Sequence, residues 1–231
     1  METRVLAIDT PASFSAAVQS AAELLRAGEI VALPTETVYG LAACAFDPAA
    51  VQKIYQAKGR PAENPVIVHV ASREMARSCV TAWPAAAETL ARRFWPGALT
   101  LVLPKTPGIP DIVTAGGPTV GLRWPLHPFM QEVIRACGFP LAAPSANMAN
   151  QISPTTAEHV FSSLRGRVPL IVDAGLSNVG IESTVLDLTT EPPRLLRPGM
   201  VSREEIESAL NDSIAEGVSD SGPLKSPGQL K

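Results

Sequence analysis

The chain has 231 residues, 46% apolar and 18% charged, and its 19 Lys and Arg against 22 Asp and Glu leave a net charge of −3. This composition excludes a disordered or fibrous chain, and the length suffices for one large core or two small ones. No apolar run approaches the roughly 18–20 residues of a membrane span, and the opening METRVLAIDT does not read as a secretory signal.

Elements follow in chain order. Thr10-Pro11 reads as a cap and first-turn proline. Phe14, Val18, Ala21, Ala22 and Leu25 then recur at helical spacing up to Gly28. Residues 30–33 predict a buried strand ended by Pro34, and Asp47-Pro48 opens a helix with Val51, Ile54 and Tyr55 on one face. Val66 to Val68 predicts a strand, Ser72 caps a short helix, and residues 84–95 form another, stopped by Trp95-Pro96-Gly97. Strands follow at 99–103 and 119–122, a helix at 129–137 and a short strand at 141–143. Residues 155–164, 169–172 and 184–188 read helix, strand, strand, and Ser202 with Glu205 opens a last helix over 202–210. The alternation predicts an α/β fold, a twisted open mixed sheet flanked by helices. Proline, 22 residues or about twice its usual share, adds many rigid turns. Residues 212–231 lose the apolar period and read as a tail.

The three cysteines, Cys44, Cys79 and Cys137, are scattered and form no disulfide framework or zinc knuckle, so a reducing, cytoplasmic setting is expected. The chain contains no phosphate-binding P-loop, dinucleotide fingerprint, H-E-x-x-H or G-x-S-x-G. His69, His127 and His159 are not spaced as ligands of one metal, so no metal site is expected. What the sequence does carry is small polar and cationic residues at element ends: PTETVYGL (34–41), KGRP (58–61), PSAN (144–147), GIEST (180–184) and RPG (197–199). Ligands of α/β sheets sit where such loops converge. Cations and donors suit phosphate oxygens, while hydroxyls and carbonyls suit an ammonium. Each residue has a plainer reading as well. Thr35 and Thr37 equally cap a turn, Lys58 and Arg60 equally sit as solvated charges at a helix C-terminus, and Ser145 and Asn147 as turn residues. His69 also reads as a core histidine, and Arg123 as a surface charge on a strand end.

Taken in order, PTETVYGL, KGRP with NPVIVHV, WPGALT, PSAN, IEST and LLRPG resemble the Sua5/YrdC/YciO family over about residues 5–211. The pair K-x-R and S-x-N (Lys58, Arg60, Ser145, Asn147) is that family's signature. The resemblance implies a YrdC-like catalytic domain over 1–211, a threonylcarbamoyl-AMP synthase of the nucleotidyltransferase class. Its substrates would be L-threonine, bicarbonate or CO2, and ATP with probable Mg²⁺, and it would release pyrophosphate. A tRNA threonylcarbamoyl transferase complex would then modify adenosine 37 of tRNA. It further implies Thr37, His69, Arg123, Ala143 and Ser183 around threonine. Lys58, Arg60, Asn64, Thr119, Ser145, Asn147, Ser153 and Arg197 would hold the nucleotide, with Lys58 and Arg60 stabilising charge in the reaction. The end of the tail, Ser226 to Lys231 (SPGQLK), resembles the start of the linker to a second domain in longer members. Two rival readings stand beside this one. One is a double-stranded RNA-binding module, which a net charge of −3 disfavours without a local basic patch. The other is a carbamoyltransferase-type domain with another acceptor.

Overall fold

Among the described residues, six of the eight helices start at a side chain that accepts unpaired N–H groups of the first turn. In α1 (Pro11–Arg26) Thr10 and Ser13 cap each other reciprocally, and in α2 (Pro48–Lys58) Asp47 accepts from Ala49 and Ala50. In α3 (Arg73–Ser78) Ser72 accepts from Met75; α4 (Ala85–Phe94) and α5 (Asp111–Thr114) follow prolines without a side-chain cap. His127, Thr156 and Ser202 cap α6 (Pro128–Cys137), α7 (Ala157–Leu164) and α8 (Arg203–Leu210). The computed structural model describes residues 2–217 with Leu224, Lys225 and Pro227.

The strands are β1 (Arg4–Ala7), β2 (Val31–Leu33), β3 (Gly40–Cys44), β4 (Val68–His69), β5 (Leu99–Pro104), β6 (Thr119–Arg123), β7 (Leu141–Ala142), β8 (Leu170–Asp173), β9 (Thr184–Asp187), β10 (Arg194–Arg197) and β11 (Ala215–Glu216). They form one mixed sheet in the order β1-β8-β2-β3-β7-β4-β6-β5-β9-β10-β11. Alternation along each strand divides the core in two. Ala32, Leu41, Ala43 and Ile171 pack on the face that carries α2, α4 and α7. Val31, Leu33, Ala42, Leu170 and Val172 pack on the other, under α1 and α6. Those two helices meet through Phe14 and Phe129, edge to face at 5.2 Å.

From β4 to β6 the second face changes character. Val120 and Leu122 point into the first core. Thr119, Gly121 and Arg123 therefore share the opposite face, and the missing side chain of Gly121 makes room there for Thr100 and Ile67. A Cβ there would meet Thr100 Cγ2 at 3.2 Å.

β1, β3, α5, β10 and β11 lie outside the predicted elements. β3 is Gly-Leu-Ala-Ala-Cys, a composition poor in strand formers, made extended by its ladders to β2 and β7. β11 corrects the reading of 212–231 as tail from its start, because Ala215 and Glu216 pair in parallel with β10. The sheet thus runs past residue 211. Lys225 reaches back to Asp187 at 2.6 Å and to Thr189. Of the linker-like segment Ser226 to Lys231, only Pro227 is among the described residues.

Candidate active site

Three loops are laced together by backbone hydrogen bonds. The loop between β2 and β3 receives Val179 N–H on Glu36 O and Gly180 N–H on Thr37 O. Tyr39 N–H donates to Pro154 O, and Tyr39 O accepts from Ala146 N–H. The buried Tyr39 hydroxyl donates to Gly175 O at 2.7 Å and accepts from Ala174 N–H. Burial pushes this phenol up to about 12, so it stays a donor at any physiological pH. The sequence places prolines and small residues in these loops because each must pass close to another. Gly199 is the sharpest case. A Cβ there would stand 2.5 Å from Thr184 N and 2.6 Å from Glu182 O, so RPG can lie against IEST only with glycine at that position.

The loops enclose a pocket of about 60 Å³, lined on one side by Thr37, His69, Arg123, Ala143 and Ser183 and on the other by Arg60, Ser145, Glu182 and Arg197. Pro227 lines it too.

The first side is rigid. Arg123, at the end of β6, donates to Glu36 Oε1 at 2.7 Å, Thr37 Oγ1 at 2.8 Å and Gly97 O at 3.1 Å. Both members of the ion pair are buried, with side chains 5% and 7% exposed. Burial raises the Glu36 carboxyl, but the charge and hydrogen bond of Arg123 outweigh it and hold the group ionised. Thr35 Oγ1 donates to Val38 O and accepts the N–H groups of Thr37 and Val38, a side-chain-closed turn. Thr37 Oγ1 lies 2.9 Å from Thr35 Oγ1 and accepts from Arg123. His69, at the end of β4, is buried, and desolvation, then the Arg123 charge, drive its pKa down to about 3. It is a neutral ring, and its Nδ1 has no partner among the described residues.

The second side is built around Arg197 and Arg60. Arg197 donates to Ser183 O, to Ser183 Oγ and to the Glu182 carboxylate. Glu182 also accepts from Ser153 Oγ at 3.0 Å. Arg60 is anchored by Asn64 O and Pro65 O, at 3.0 and 2.7 Å.

The structure thus brings Thr37, Arg60, His69, Arg123, Ala143, Ser145, Ser183 and Arg197 to one pocket, with Ser153 tied to it through Glu182. It does not bring Lys58 there. The Lys58 ammonium is buried and donates to the carbonyls of Ser145 and Asn147 and to Asn147 Oδ1. Burial, then Arg60, lower its pKa to about 7, with Glu182 opposing. Asn147 is equally turned inward, donating to Gln151 O. Asn64 contributes its carbonyl to Arg60 and to the Tyr55 hydroxyl, while its own Oδ1 is buried without a partner among the described residues. Thr119 stands at the opposite end of β6 from Arg123, about 13 Å away at 3.3 Å per residue. Glu36 and Glu182 lie inside the recognised segments but have no role in the sequence reading, whereas Thr35 closes a turn as one reading expected. The signal of the two acids was the pairing of each with an arginine, which only the fold reveals. Among the described residues no three His, Cys, Asp or Glu side chains cluster as a metal site, and no helix is long and apolar enough to cross a membrane.

Comparison with known proteins shows the family. The family model for Sua5/YciO/YrdC proteins, described as telomere recombination, matches residues 23–199. The threonylcarbamoyl-AMP synthase of Pyrococcus abyssi is 49% identical over 195 residues, 84% of this chain and 57% of that protein. The one from Bacillus subtilis is 50% identical over 205 residues, 88% and 59% of the two chains. The chain therefore spans somewhat over half the length of these relatives. The crystal structure of P. abyssi Sua5 complexed with L-threonine superposes with a TM-score of 0.93 at 42% identity, covering all of this chain and 68% of that one. With the expected mixed sheet present and the motif loops gathered at one pocket, the chain belongs to the Sua5/YciO/YrdC family.

Proposed function

We propose that this chain forms L-threonylcarbamoyl-AMP from L-threonine, bicarbonate or CO2, and ATP, releasing pyrophosphate for the benefit of tRNA modification. The observation that carries the reading is the pairing of two unlike subsites in one pocket. A braced arginine beside Thr37 and His69 adjoins Arg60, Arg197 and a set of hydroxyls. The names of its relatives, and the threonine complex of one of them, support the same assignment.

The braced side suits an amino acid. Arg123 offers N–H groups to a carboxylate, and the Thr37 hydroxyl and the neutral His69 ring offer polar atoms to an amine or hydroxyl. The backbone at Ala143 and the Ser183 hydroxyl close that subsite. The second side suits a polyphosphate, taken by Arg60 and Arg197 with Ser145 and Ser153. Magnesium enters with the nucleotide as part of that substrate. The amine of threonine adds to CO2 and loses a proton to give a carbamate. A carbamate oxygen attacks the α-phosphorus of ATP, and the bond to the bridging oxygen breaks to release pyrophosphate. Neither step requires a covalent enzyme intermediate, and the pocket holds no nucleophile–base pair among its lining residues. The chain contributes position and positive charge. Lys58 contributes at one remove, by holding the loop that carries Ser145 and Asn147.

Incubation with ATP, Mg²⁺, bicarbonate and L-threonine tests the reading. Pyrophosphate release that requires threonine, with an adenylate product of matching mass, is the expected result. Release driven by carbamoyl phosphate, or salt-dependent RNA binding without ATP turnover, would replace it with one of the rival readings.

A further inference from the structure

Among the described residues that line the pocket, Glu182 is the one acid, and it acts on Arg60 and Arg197. Its carboxylate is held by Arg197 and by Ser153 Oγ, two groups assigned above to the nucleotide. Its charge also acts on Lys58 and Arg60. The carboxylate therefore stands where a phosphate oxygen would find the same donors.

The backbone and the side chain of this residue behave differently. Gly199 packs against the carbonyl of Glu182 so closely that no Cβ fits between them, which fixes the main chain. The side chain is 32% exposed, against 13% for Arg197. It can leave Arg197 by rotating toward solvent, with no loop movement. A partly exposed ion pair of this kind contributes little. A polyphosphate carrying several charges would displace it.

We propose that Glu182 is an affinity-setting residue, an internal anion that occupies the phosphate subsite of the empty enzyme and competes with pyrophosphate and ATP for Arg197 and Ser153. The same competition would favour release of pyrophosphate after the reaction. The proposal rests on the phosphate subsite assigned under Proposed function.

Calorimetric titration of sodium pyrophosphate into the chain in EDTA tests it, comparing wild type with Glu182→Gln and Glu182→Ala. Thermal melts run alongside show whether the variants are folded, and one folded variant is enough. The expected result is pyrophosphate binding about five- to tenfold tighter in the folded variants, the ratio equivalent to removing roughly 1–1.4 kcal/mol of competition. Unchanged or weaker binding in the variants, with the wild type binding pyrophosphate, would overturn the competition and leave the subsite standing. Failure of wild type and variants alike to bind pyrophosphate would overturn both.

Discussion

The two arginine corners of the pocket are built differently. Arg123 is buried, paired with a buried carboxylate and fixed by a threonine and a carbonyl, all within 3.1 Å. Arg197 sits nearer the surface and shares its charge with a carboxylate that can rotate away. A pair like Arg123–Glu36 costs much to desolvate, and removing one partner leaves an uncompensated charge. Such a corner keeps one geometry, and it fits a small ligand bound in a single pose. Under the proposed function the Arg197 corner would exchange partners, since it would have to receive a triphosphate and release pyrophosphate. Preorganisation and exchangeability are thus divided between two halves of one pocket.

The largest expected effect breaks the rigid corner. Arg123→Ala leaves Glu36 buried and unpaired, a cost of about 3–5 kcal/mol in folding stability, and removes the carboxylate fork. Threonine-dependent pyrophosphate release should fall by about 10²–10³-fold, and urea unfolding should show the lost stability. Lys58→Ala comes next. It strips a charged donor from three buried acceptors, and a loss of about 3 kcal/mol corresponds to a melting point lower by roughly 6–12 °C. Thermal melts with and without ATP separate this from a direct phosphate contact, since a positioning role lowers the melting point of the empty chain as well. Ser183→Ala is smaller. It removes a hydroxyl shared by Thr100 and Arg197, and about a three- to tenfold rise in KM for threonine is expected.

The smallest effect on rate concerns His69. Its folded pKa of about 3 lies below the ordinary 6.5, so the unfolded chain takes up a proton there that the folded chain does not. That contribution to stability is present above pH 6.5 and is lost as pH falls toward 3. Between pH 7 and pH 5 wild type should lose about 2 kcal/mol more than His69→Gln in urea titrations. Turnover should show no ionisation of His69 above pH 5. An activity step near pH 6.5 that vanishes in His69→Gln would contradict the neutral ring.

Much of this architecture was legible in the sequence where chemistry is local. Caps such as Thr10, Asp47 and Ser202 mark helix starts because the bond they make is to their own helix. The motif loops were legible as candidate ligand groups because small polar residues ended apolar runs. Residues whose role depends on a distant partner were not. Glu36 meets an arginine 87 positions away, and Lys58 meets carbonyls 87 and 89 positions away. Periodicity cannot report such pairs: the residue reading had Lys58 as a solvated charge and the resemblance implied a phosphate contact, while in the fold its buried ammonium donates to carbonyls. β3 went unread for a related reason, since its alanines and glycine are extended by neighbouring strands rather than by preference.

The division of labour between the corners is tested most directly by titrating L-threonine and ATP separately into two variants, Arg123→Ala and Arg197→Ala. Arg123→Ala should lose threonine binding by at least about a hundredfold while keeping ATP affinity within a fewfold. Arg197→Ala should do the reverse. Equal loss of both ligands in either folded variant would contradict the account, because the two arginines would then serve a single undivided site.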